Sequence, residues 1–190
     1  MSSIGRRAFA RILLLASVLA FAGACDQAPP TSAPEAPRLS FDPYAYYVIR
    51  NVETDKVADV EGAGCCNGDW VHQWSYEGQT NAQWRIVDVG GGYYKIVARH
   101  SGRAMDVSGA SMYDGTRIHQ WAYDGSYNQQ WSIVDVGNGQ YKILARHSGK
   151  ALTVSGGVNY FGSIYGNGVG IRQHTYNAYG SQHWQLELVP

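Results

Sequence analysis

The chain has no cluster of basic residues beyond its first 24 positions. Those positions hold Arg6, Arg7 and Arg11 and no acidic residue. Without them, twelve of the 15 basic residues remain against 15 acidic ones, a net charge of about −3. Binding to nucleic acid depends on clustered lysine and arginine side chains that neutralise phosphates. This lack therefore predicts a protein that does not bind nucleic acid.

Cysteine is also scarce, with only Cys25, Cys65 and Cys66 in 190 residues. Cys65 and Cys66 are adjacent, so they can pair only in a strained eight-membered ring, and a vicinal disulfide and two free thiols both stay open. A zinc site needs about four arranged ligands, and no further cysteine or ordered histidine set accompanies this pair. We expect no metal and no other cofactor.

No apolar run is long enough to span a membrane. The longest N-terminal run, residues 12–22, has 11 residues, whereas a transmembrane helix needs about 20. Its basic start and the small residues after it predict a signal peptide at residues 1–24. Residues 22–25, Ala-Gly-Ala-Cys, resemble the lipobox of bacterial lipoproteins, which implies lipidation of Cys25. Arg6 and Arg7 leave Sec and twin-arginine export both open.

Residues 25–43 form the next segment, which begins at the lipidated Cys25. Proline, alanine, serine and threonine dominate it, and a segment with so little to bury is predicted to be a disordered linker. We expect a domain at residues 44–190 that is exported and held as a periplasmic or cell-surface lipoprotein, or else secreted. Its contact with the membrane would be through the lipid anchor alone.

Glycine and aromatic residues are abundant, with 23 glycines and 13% aromatics, mostly tyrosine and tryptophan. This composition favours short strands and tight turns. Residues 94–102 (YKIVARHSG) recur 47 positions later at 141–149 (YKILARHSG), and Tyr47 stands 47 positions earlier. The chain thus contains three repeats, at about 44–92, 93–139 and 140–190, and the third carries six extra residues within 156–170.

Each repeat is predicted to form four short strands. In the second repeat these are 94–99, 104–107, 117–123 and 130–135, with turn-forming Ser-Gly, Asp-Gly and Asn-Gly pairs between them. Twelve strands in three equal units predict a closed, three-fold, all-β structure. Closure removes the sheet edges that one unit of 47 residues could not shield.

A polar motif that ends in tryptophan marks every repeat, as NAQW at 81–84, NQQW at 128–131 and SQHW at 181–184. These motifs resemble the three Gln-x-Trp motifs of the ricin B-type lectins, also grouped as carbohydrate-binding module family 13. The pattern is intact in the second and third repeats, and Ala82 breaks it in the first. The resemblance covers residues 44–190 and implies a β-trefoil that binds carbohydrate.

The three repeats serve as an internal control on residue roles. Side chains kept in every copy are expected to serve the fold, and in the family the Gln-x-Trp tryptophan is a core residue. The kept set is Val60, Val107 and Val154; Gln73, Gln120 and Gln173; Tyr76, Tyr123 and Tyr176; and Trp84, Trp131 and Trp184.

A second set is lost as a group from the third repeat. Its members are Asp59 and Asp106, which become Thr153; His72 and His119, which become Arg172; Trp74 and Trp121, which become His174; and Asn81 and Asn128, which become Ser181. An acid, an aromatic ring and an amide disappear together. This pattern indicates the loss of one binding site.

The lost residue types suit a saccharide. An aromatic ring stacks on the C–H face of a pyranose, a carboxylate accepts two hydroxyl protons, and an amide both donates and accepts. His119 and Trp121 are two positions apart and share one strand face. The resemblance implies that Asp106 accepts hydroxyl protons, that Trp121 stacks and that Asn128 supplies the amide.

Two positions of the second repeat have less defined roles. His119 stands where the family often has a polar ligand, and Gln129 aligns with a glutamine that supports the aspartate or the sugar. The first repeat offers Asp59, His72, Trp74 and Asn81 but has Ala82 where that glutamine would be. We expect an intact site in the second repeat, a site also in the first, and none in the third.

The resulting hypothesis is a non-catalytic lectin for galactose-like or xylose-like units of a glycan or polysaccharide. A glycosidase would need two cooperating carboxylates, and Asp59 and Asp106 are predicted to lie on different lobes. No serine or cysteine nucleophile stands in a recognisable setting, so we expect no catalytic residue. A β-trefoil that binds a protein partner, such as an inhibitor module, is the alternative.

Overall fold

The computed structural model describes residues 39–155 and 165–190. The expected signal peptide, Cys25, most of the linker, and Tyr160 and Phe161 of the insertion lie outside these residues. The described residues form one compact unit. In the described part of the chain, no helix is long and apolar enough to cross a membrane.

The described residues form twelve strands, four in each repeat. The first repeat contains β1 Tyr47–Asn51, β2 Val57–Val60, β3 Val71–Trp74 and β4 Gln83–Gly90. The second contains β5 Tyr93–Ala98, β6 Ala104–Val107, β7 Ile118–Trp121 and β8 Trp131–Gly137. The third contains β9 Gln140–Ala145, β10 Ala151–Val154, β11 Ile171–His174 and β12 Trp184–Leu188.

Six of these strands close into a barrel. Strand β1 pairs with β4 and β12, β5 pairs with β4 and β8, and β9 pairs with β8 and β12, all antiparallel. The remaining strands form the hairpins β2–β3, β6–β7 and β10–β11. Single backbone bridges join the hairpins in a cycle, Trp70 to His119, Arg117 to Arg172 and Gly170 to His72. The predicted β-trefoil is confirmed.

Three tryptophans occupy the barrel core. Trp84, Trp131 and Trp184 are fully buried, and each indole N–H donates to a backbone carbonyl of the hairpin in its own repeat. The acceptors are Ala58 (2.8 Å), Met105 (3.0 Å) and Leu152 (2.9 Å). Burial of so large an apolar surface is favourable only when the one polar atom is satisfied, as it is here. The expected core role of these residues is confirmed.

A buried glutamine in the third strand of each repeat joins that repeat to the one before it. The Gln120 Nε2 group donates to the carbonyls of Gly64 (2.8 Å) and Cys66 (3.0 Å), and its Oε1 atom accepts from Ser101 Oγ at 2.6 Å. Gln173 Nε2 likewise donates to the backbone carbonyls of Ser111 and Tyr113, and Gln73 Nε2 donates to the backbone carbonyl of Gly166. We call these three residues the inter-repeat glutamines.

The segment that enters the domain covers part of the barrel. Leu39 and Phe41 pack against the core, and the Phe41 ring meets Tyr47 and Tyr94 edge-on at centroid distances of 5.6 and 5.3 Å. The Tyr94 hydroxyl donates to the Leu39 carbonyl at 2.6 Å. Residues 39–41, which the sequence analysis placed in the linker, therefore contact the folded domain.

Strand bounds agree best with the sequence where the hydrophobic pattern is regular. The second-repeat prediction 104–107 matches β6, and 94–99 differs from β5 by one residue at each end. The prediction 117–123 is too long, because β7 ends at Trp121. Ala122 instead donates its backbone N–H to the Asn67 side chain of the preceding repeat, which ends the hairpin ladder.

Replacing Gln120 with methionine tests the inter-repeat glutamines. Methionine has a similar shape but no donor, so the carbonyls of Gly64 and Cys66 lose a buried partner. We expect the free energy of unfolding to fall by about 1–3 kcal/mol, as measured by urea denaturation. Gln140→Met changes a partly exposed side chain that makes no hydrogen bond to the described residues, and it should have little effect. Equal stability of the two variants would contradict this role.

Candidate functional site

The second repeat forms an open pocket of about 270 Å³ beside the β6–β7 hairpin. Strand pairing sets Asp106 opposite His119, and the alternation of β7 puts His119 and Trp121 on the same face. Ile118 and Gln120 point into the protein and are fully buried. The pocket is lined by Asp106, Gly109, Ala110, His119, Trp121, Asp124, Ser126 and Asn128.

The Asp106 carboxylate lies at the base of this pocket and is only 4% exposed. Its Oδ1 atom accepts from Asn128 Nδ2 at 3.0 Å and lies 2.8 Å from His119 Nε2. Asn128 Nδ2 also donates to the Val107 carbonyl at 3.2 Å, which fixes the amide. Asp106 Oδ2 and Asn128 Oδ1 accept no hydrogen bond from the described residues, so both can accept from a ligand.

Aromatic rings form one wall of the second pocket. The Trp121 side chain is 40% exposed, and its ring lies against His119 with a centroid distance of 5.3 Å and an interplanar angle of 29°. Trp70 from the first repeat also stacks on His119, at 5.7 Å. The buried histidine thus holds the exposed indole in place, and one face of that indole can receive an apolar ligand surface.

A turn from the preceding repeat supports each exposed ring. Asn67 Oδ1 accepts from the backbone N–H of Ala122 at 2.9 Å, which fixes the residue after Trp121. Gly68 has a φ of +91°, and a Cβ atom at this position would stand 3.8 Å from Cζ3 of Trp121. Gly168 meets Trp74 in the same way at 3.9 Å. Each exposed indole is therefore supported by a turn of the neighbouring repeat, although its pocket is lined by residues of one repeat.

The same arrangement of acid, histidine, indole and amide occurs in the first repeat, where it lines a pocket of about 600 Å³. Asp59 is 3% exposed, accepts from Asn81 Nδ2 at 2.9 Å on both oxygens, and lies 3.1 Å from His72 Nε2. His72 stacks on Trp74 at 5.3 Å, and Trp74 is 40% exposed. The structure thus brings together all four candidate residues of the first repeat.

Gln79 compensates for the missing glutamine at position 82. In the second repeat, Gln129 donates to the Ala122 carbonyl (2.9 Å) and accepts from Asp124 N (2.9 Å). Gln79 makes the equivalent bonds to Ser75 O (2.8 Å) and Glu77 N (2.7 Å), and its Nε2 atom lies 3.3 Å from Asp59 Oδ2. Sequence reasoning missed this residue, although its signal was visible: glutamine and a small residue exchange positions between the two repeats.

Gln129 itself does not line the second pocket. It is 1% exposed and ties together the turn after β7, so it supports the pocket wall from behind. In the third repeat, Gln182 makes the equivalent bonds: it donates to the Thr175 carbonyl and accepts from Asn177 N. This shared structural task explains why the glutamine persists in the repeat that has lost the other candidate residues.

Two small residues in left-handed conformation line each of the first two pockets. Gly62 and Ala63 have φ values of +63° and +50°, and Gly109 and Ala110 have +63° and +49°. The positive φ is strained for alanine, and such strain is often found where a backbone shapes a functional site. Because these residues are small, they take up little of the pocket volume.

The third repeat keeps a cavity of about 470 Å³ but has different chemistry. Thr153 replaces the buried carboxylate and donates its hydroxyl to the Ala151 carbonyl. Arg172 turns away to donate to the Gly115 carbonyl at 2.7 Å, and His174 replaces the indole. Cavity size alone does not distinguish the three lobes, whereas the buried acid and exposed indole do.

Each of the first two pockets contains a second acid that sequence reasoning also missed. Glu77 and Asp124 are exposed and line the first and second pockets, and the equivalent residue in the third is Asn177. Hydrogen bonds from Ser126 lower the pKa of Asp124, so this carboxylate is ionised at neutral pH. The signal in the sequence was again the joint loss from the third repeat.

Cys65 and Cys66 are exposed free thiols. They lie in the loop whose backbone carbonyls accept from Gln120. Across residues 39–155 and 165–190, no group of three or more histidine, cysteine or acidic side chains is arranged to hold a metal ion.

Comparison with known proteins identifies related folds. The family model described as ricin-type beta-trefoil lectin domain-like matches residues 39–121 and 127–190. No curated protein matches in a sequence comparison. The designed three-fold symmetric protein ThreeFoil is 46% identical, with a TM-score of 0.70 over 75% of this chain and 97% of its own.

Two further solved structures are similar. The exo-β-1,3-galactanase of Clostridium thermocellum is 39% identical with a TM-score of 0.72, over 79% of this chain but only 31% of its own. This chain thus spans about a third of that enzyme. The Macrolepiota procera ricin B-like lectin, solved with lactose, has a TM-score of 0.64 over 78% of this chain and 99% of its own, and at 19% identity it supports the fold alone.

Replacing Gln79 with alanine tests the compensating role of this residue. The Ser75 carbonyl and the Glu77 N–H lose their partner, so we expect the free energy of unfolding to fall by about 1–2 kcal/mol, as measured by urea denaturation. Tyr179→Ala is the matched control, since Tyr179 occupies the equivalent position in the third repeat and is 69% exposed. A Gln79→Ala protein as stable as the control would show that the turn holds without the amide.

Proposed function

We propose that this chain, which belongs to the ricin-type β-trefoil lectin domain-like family, is a non-catalytic lectin that holds a saccharide in each of two pockets. One observation carries the proposal. A buried carboxylate with an unpartnered oxygen, Asp106 Oδ2, shares a pocket with the half-exposed indole of Trp121. In the first pocket, Asp59 and Trp74 again place a buried carboxylate beside a half-exposed indole, and there both carboxylate oxygens already accept from Asn81.

The chemistry of a pyranose suits both halves of such a pocket. Its C–H face stacks on the indole, which gains apolar contact and C–H/π attraction. Two of its hydroxyls donate to the carboxylate in charge-assisted hydrogen bonds, and Asn128 Oδ1 accepts from a neighbouring hydroxyl. Because His119 and Asn128 already hold Asp106, little side-chain freedom is lost when a sugar binds.

Galactose-like units are the proposed ligands to test first. Support comes from the module of this fold in the exo-β-1,3-galactanase, which is 39% identical to this chain. A single shallow pocket is expected to bind with about 4–6 kcal/mol, a Kd between millimolar and tens of micromolar. Two pockets on one domain would raise the apparent affinity for a polysaccharide through effective concentration.

Catalysis is not part of the proposed function. Asp59 and Asp106 line separate pockets, so they cannot act on one glycosidic bond. A glycosidase also needs a general acid with a raised pKa, whereas the pKa of Asp124, the second acid of its pocket, is lowered by Ser126. Release of reducing sugar from a panel of polysaccharides would overturn this part of the proposal.

Export and lipid anchoring are proposed on the sequence pattern alone. The short apolar run at 12–22, the lipobox-like residues 22–25 and the proline-rich segment after them support a lipid-modified Cys25. Labelled palmitate should enter the wild-type protein in a bacterial host and should not enter the Cys25→Ser variant. Equal labelling of both proteins would place the modification elsewhere.

Removal of each pocket in turn tests the lectin proposal. Trp121→Ala and Trp74→Ala should each halve the number of galactose or lactose sites measured by isothermal titration calorimetry. The double variant should bind no sugar, because it lacks both stacking surfaces. Asp106→Asn should weaken the second pocket by about 2 kcal/mol or more, since a charged acceptor is lost.

The control for these variants is Tyr113→Ala. Tyr113 is 81% exposed and lies in the loop that borders the third cavity, so its loss should leave both pockets intact. If the double tryptophan variant kept full sugar binding, the pockets would not be the sites. If wild-type protein bound no glycan but captured a protein partner, the interaction-module alternative would replace the lectin.

A further inference from the structure

Both proposed sugar pockets carry two carboxylates at different depths. Asp59 and Asp106 are buried at the base, while Glu77 and Asp124 stand at the rim, in the turn that follows each indole. The third cavity has Asn177 at the rim and Thr153 at the base. The rim acids are therefore present where the indole is present and absent where it is lost.

The rim acids are not neutralised by the protein. The Glu77 carboxylate makes no hydrogen bond or ion pair with the described residues. Asp124 Oδ1 accepts from Ser126 N at 2.9 Å, and the Ser126 side chain is its other hydrogen-bond partner, so no cationic group of the described residues pairs with this carboxylate. Hydrogen bonds from the Ser126 side chain and backbone lower the pKa of Asp124, so this carboxylate keeps its charge to a lower pH than an ordinary aspartate.

Basic side chains stand outside both pockets. Neither lining includes a lysine or an arginine from the part of the chain that the structure describes. Lys56 and Arg103, at equivalent positions of the first two repeats, bind Ser75 Oγ (3.1 Å) and Asn67 Oδ1 (2.7 Å) behind the indoles. Histidine is present in each pocket, but His72 and His119 face the buried aspartates.

We infer that the two pockets select sugars by charge, with Glu77 and Asp124 favouring a pyranose that carries a free ammonium group and disfavouring one that carries a carboxylate. This inference rests on the proposed lectin function and deepens it by naming the ligand class. An ammonium ion within a few ångströms of an exposed carboxylate gains a modest Coulomb energy, and a carboxylate ligand loses a similar amount. Salt screens both effects.

The test compares four sugars that share the galacto configuration: galactose, N-acetylgalactosamine, galactosamine and galacturonate. Each is titrated into the intact domain by calorimetry at a pH where the amine is protonated, at about 0.02 M and about 0.2 M salt. We expect galactosamine to bind about threefold more tightly than galactose and galacturonate about threefold more weakly at low salt. Both differences should shrink at the higher salt concentration.

Variants identify the source of the selectivity. The double change Glu77→Gln and Asp124→Asn, which places the third-repeat residue type at the second rim, should bring the ratio of the galactosamine and galactose Kd values close to one. The matched control, Glu53→Gln with Asp55→Asn, also removes two charges at exposed side chains that line neither pocket, and it should keep the wild-type ratio. Equal loss of the ratio in both proteins would assign the effect to net charge and overturn the inference.

The outcomes separate this inference from the lectin proposal. If wild type binds galactose with the same Kd as galactosamine and galacturonate, the charge selectivity is wrong and the lectin function stands. If galacturonate binds more tightly than galactose, the inference is also wrong. If none of the four sugars binds, both the inference and the choice of galactose-like ligands fail.

Discussion

The buried amide of the inter-repeat glutamines is the interaction on which the fold and the pockets both depend. A repeat of about 47 residues cannot bury its own hairpin, so each hairpin needs backbone partners from its neighbour. Gln73, Gln120 and Gln173 are fully buried in these hairpins, and their side-chain amides donate to backbone carbonyls of the neighbouring repeat. Because the three repeats form a ring, each repeat both gives and receives one such contact, and no repeat is left as an edge.

The same strand that carries an inter-repeat glutamine also carries two pocket residues. In β7 the order is His119, Gln120, Trp121, so the central side chain points to the preceding repeat and its neighbours point to the pocket. The position of the indole thus depends on the contact between repeats. This coupling explains why Asn67 and Gly68 of the first repeat support Trp121 of the second.

Periodicity made the fold and the pocket centres predictable, whereas exchanges between loop positions hid the rest. The offset of 47 residues identified the kept Trp131 as a core residue, and the two-residue alternation put His119 and Trp121 on one strand face. Gln79 was not found, because it reaches the same acceptor from a position three residues earlier in the chain. A strict column-by-column comparison of repeats detects loss at one position but not its replacement from another.

The third repeat shows that the scaffold and the pocket chemistry can be separated. It keeps Gln173, Trp184 and Gln182, with all their structural hydrogen bonds, although the buried acid and the indole are gone. A buried carboxylate is costly unless polar partners surround it. Asn128 and His119 are those partners for Asp106, and Asn81 and His72 are those for Asp59. Once the aspartate is replaced by Thr153, whose hydroxyl is satisfied by Ala151, nothing in the fold requires the asparagine or the histidine. The four residues are therefore expected to be lost together, as they are in this chain, because each is present to hold the same charge or the ligand above it.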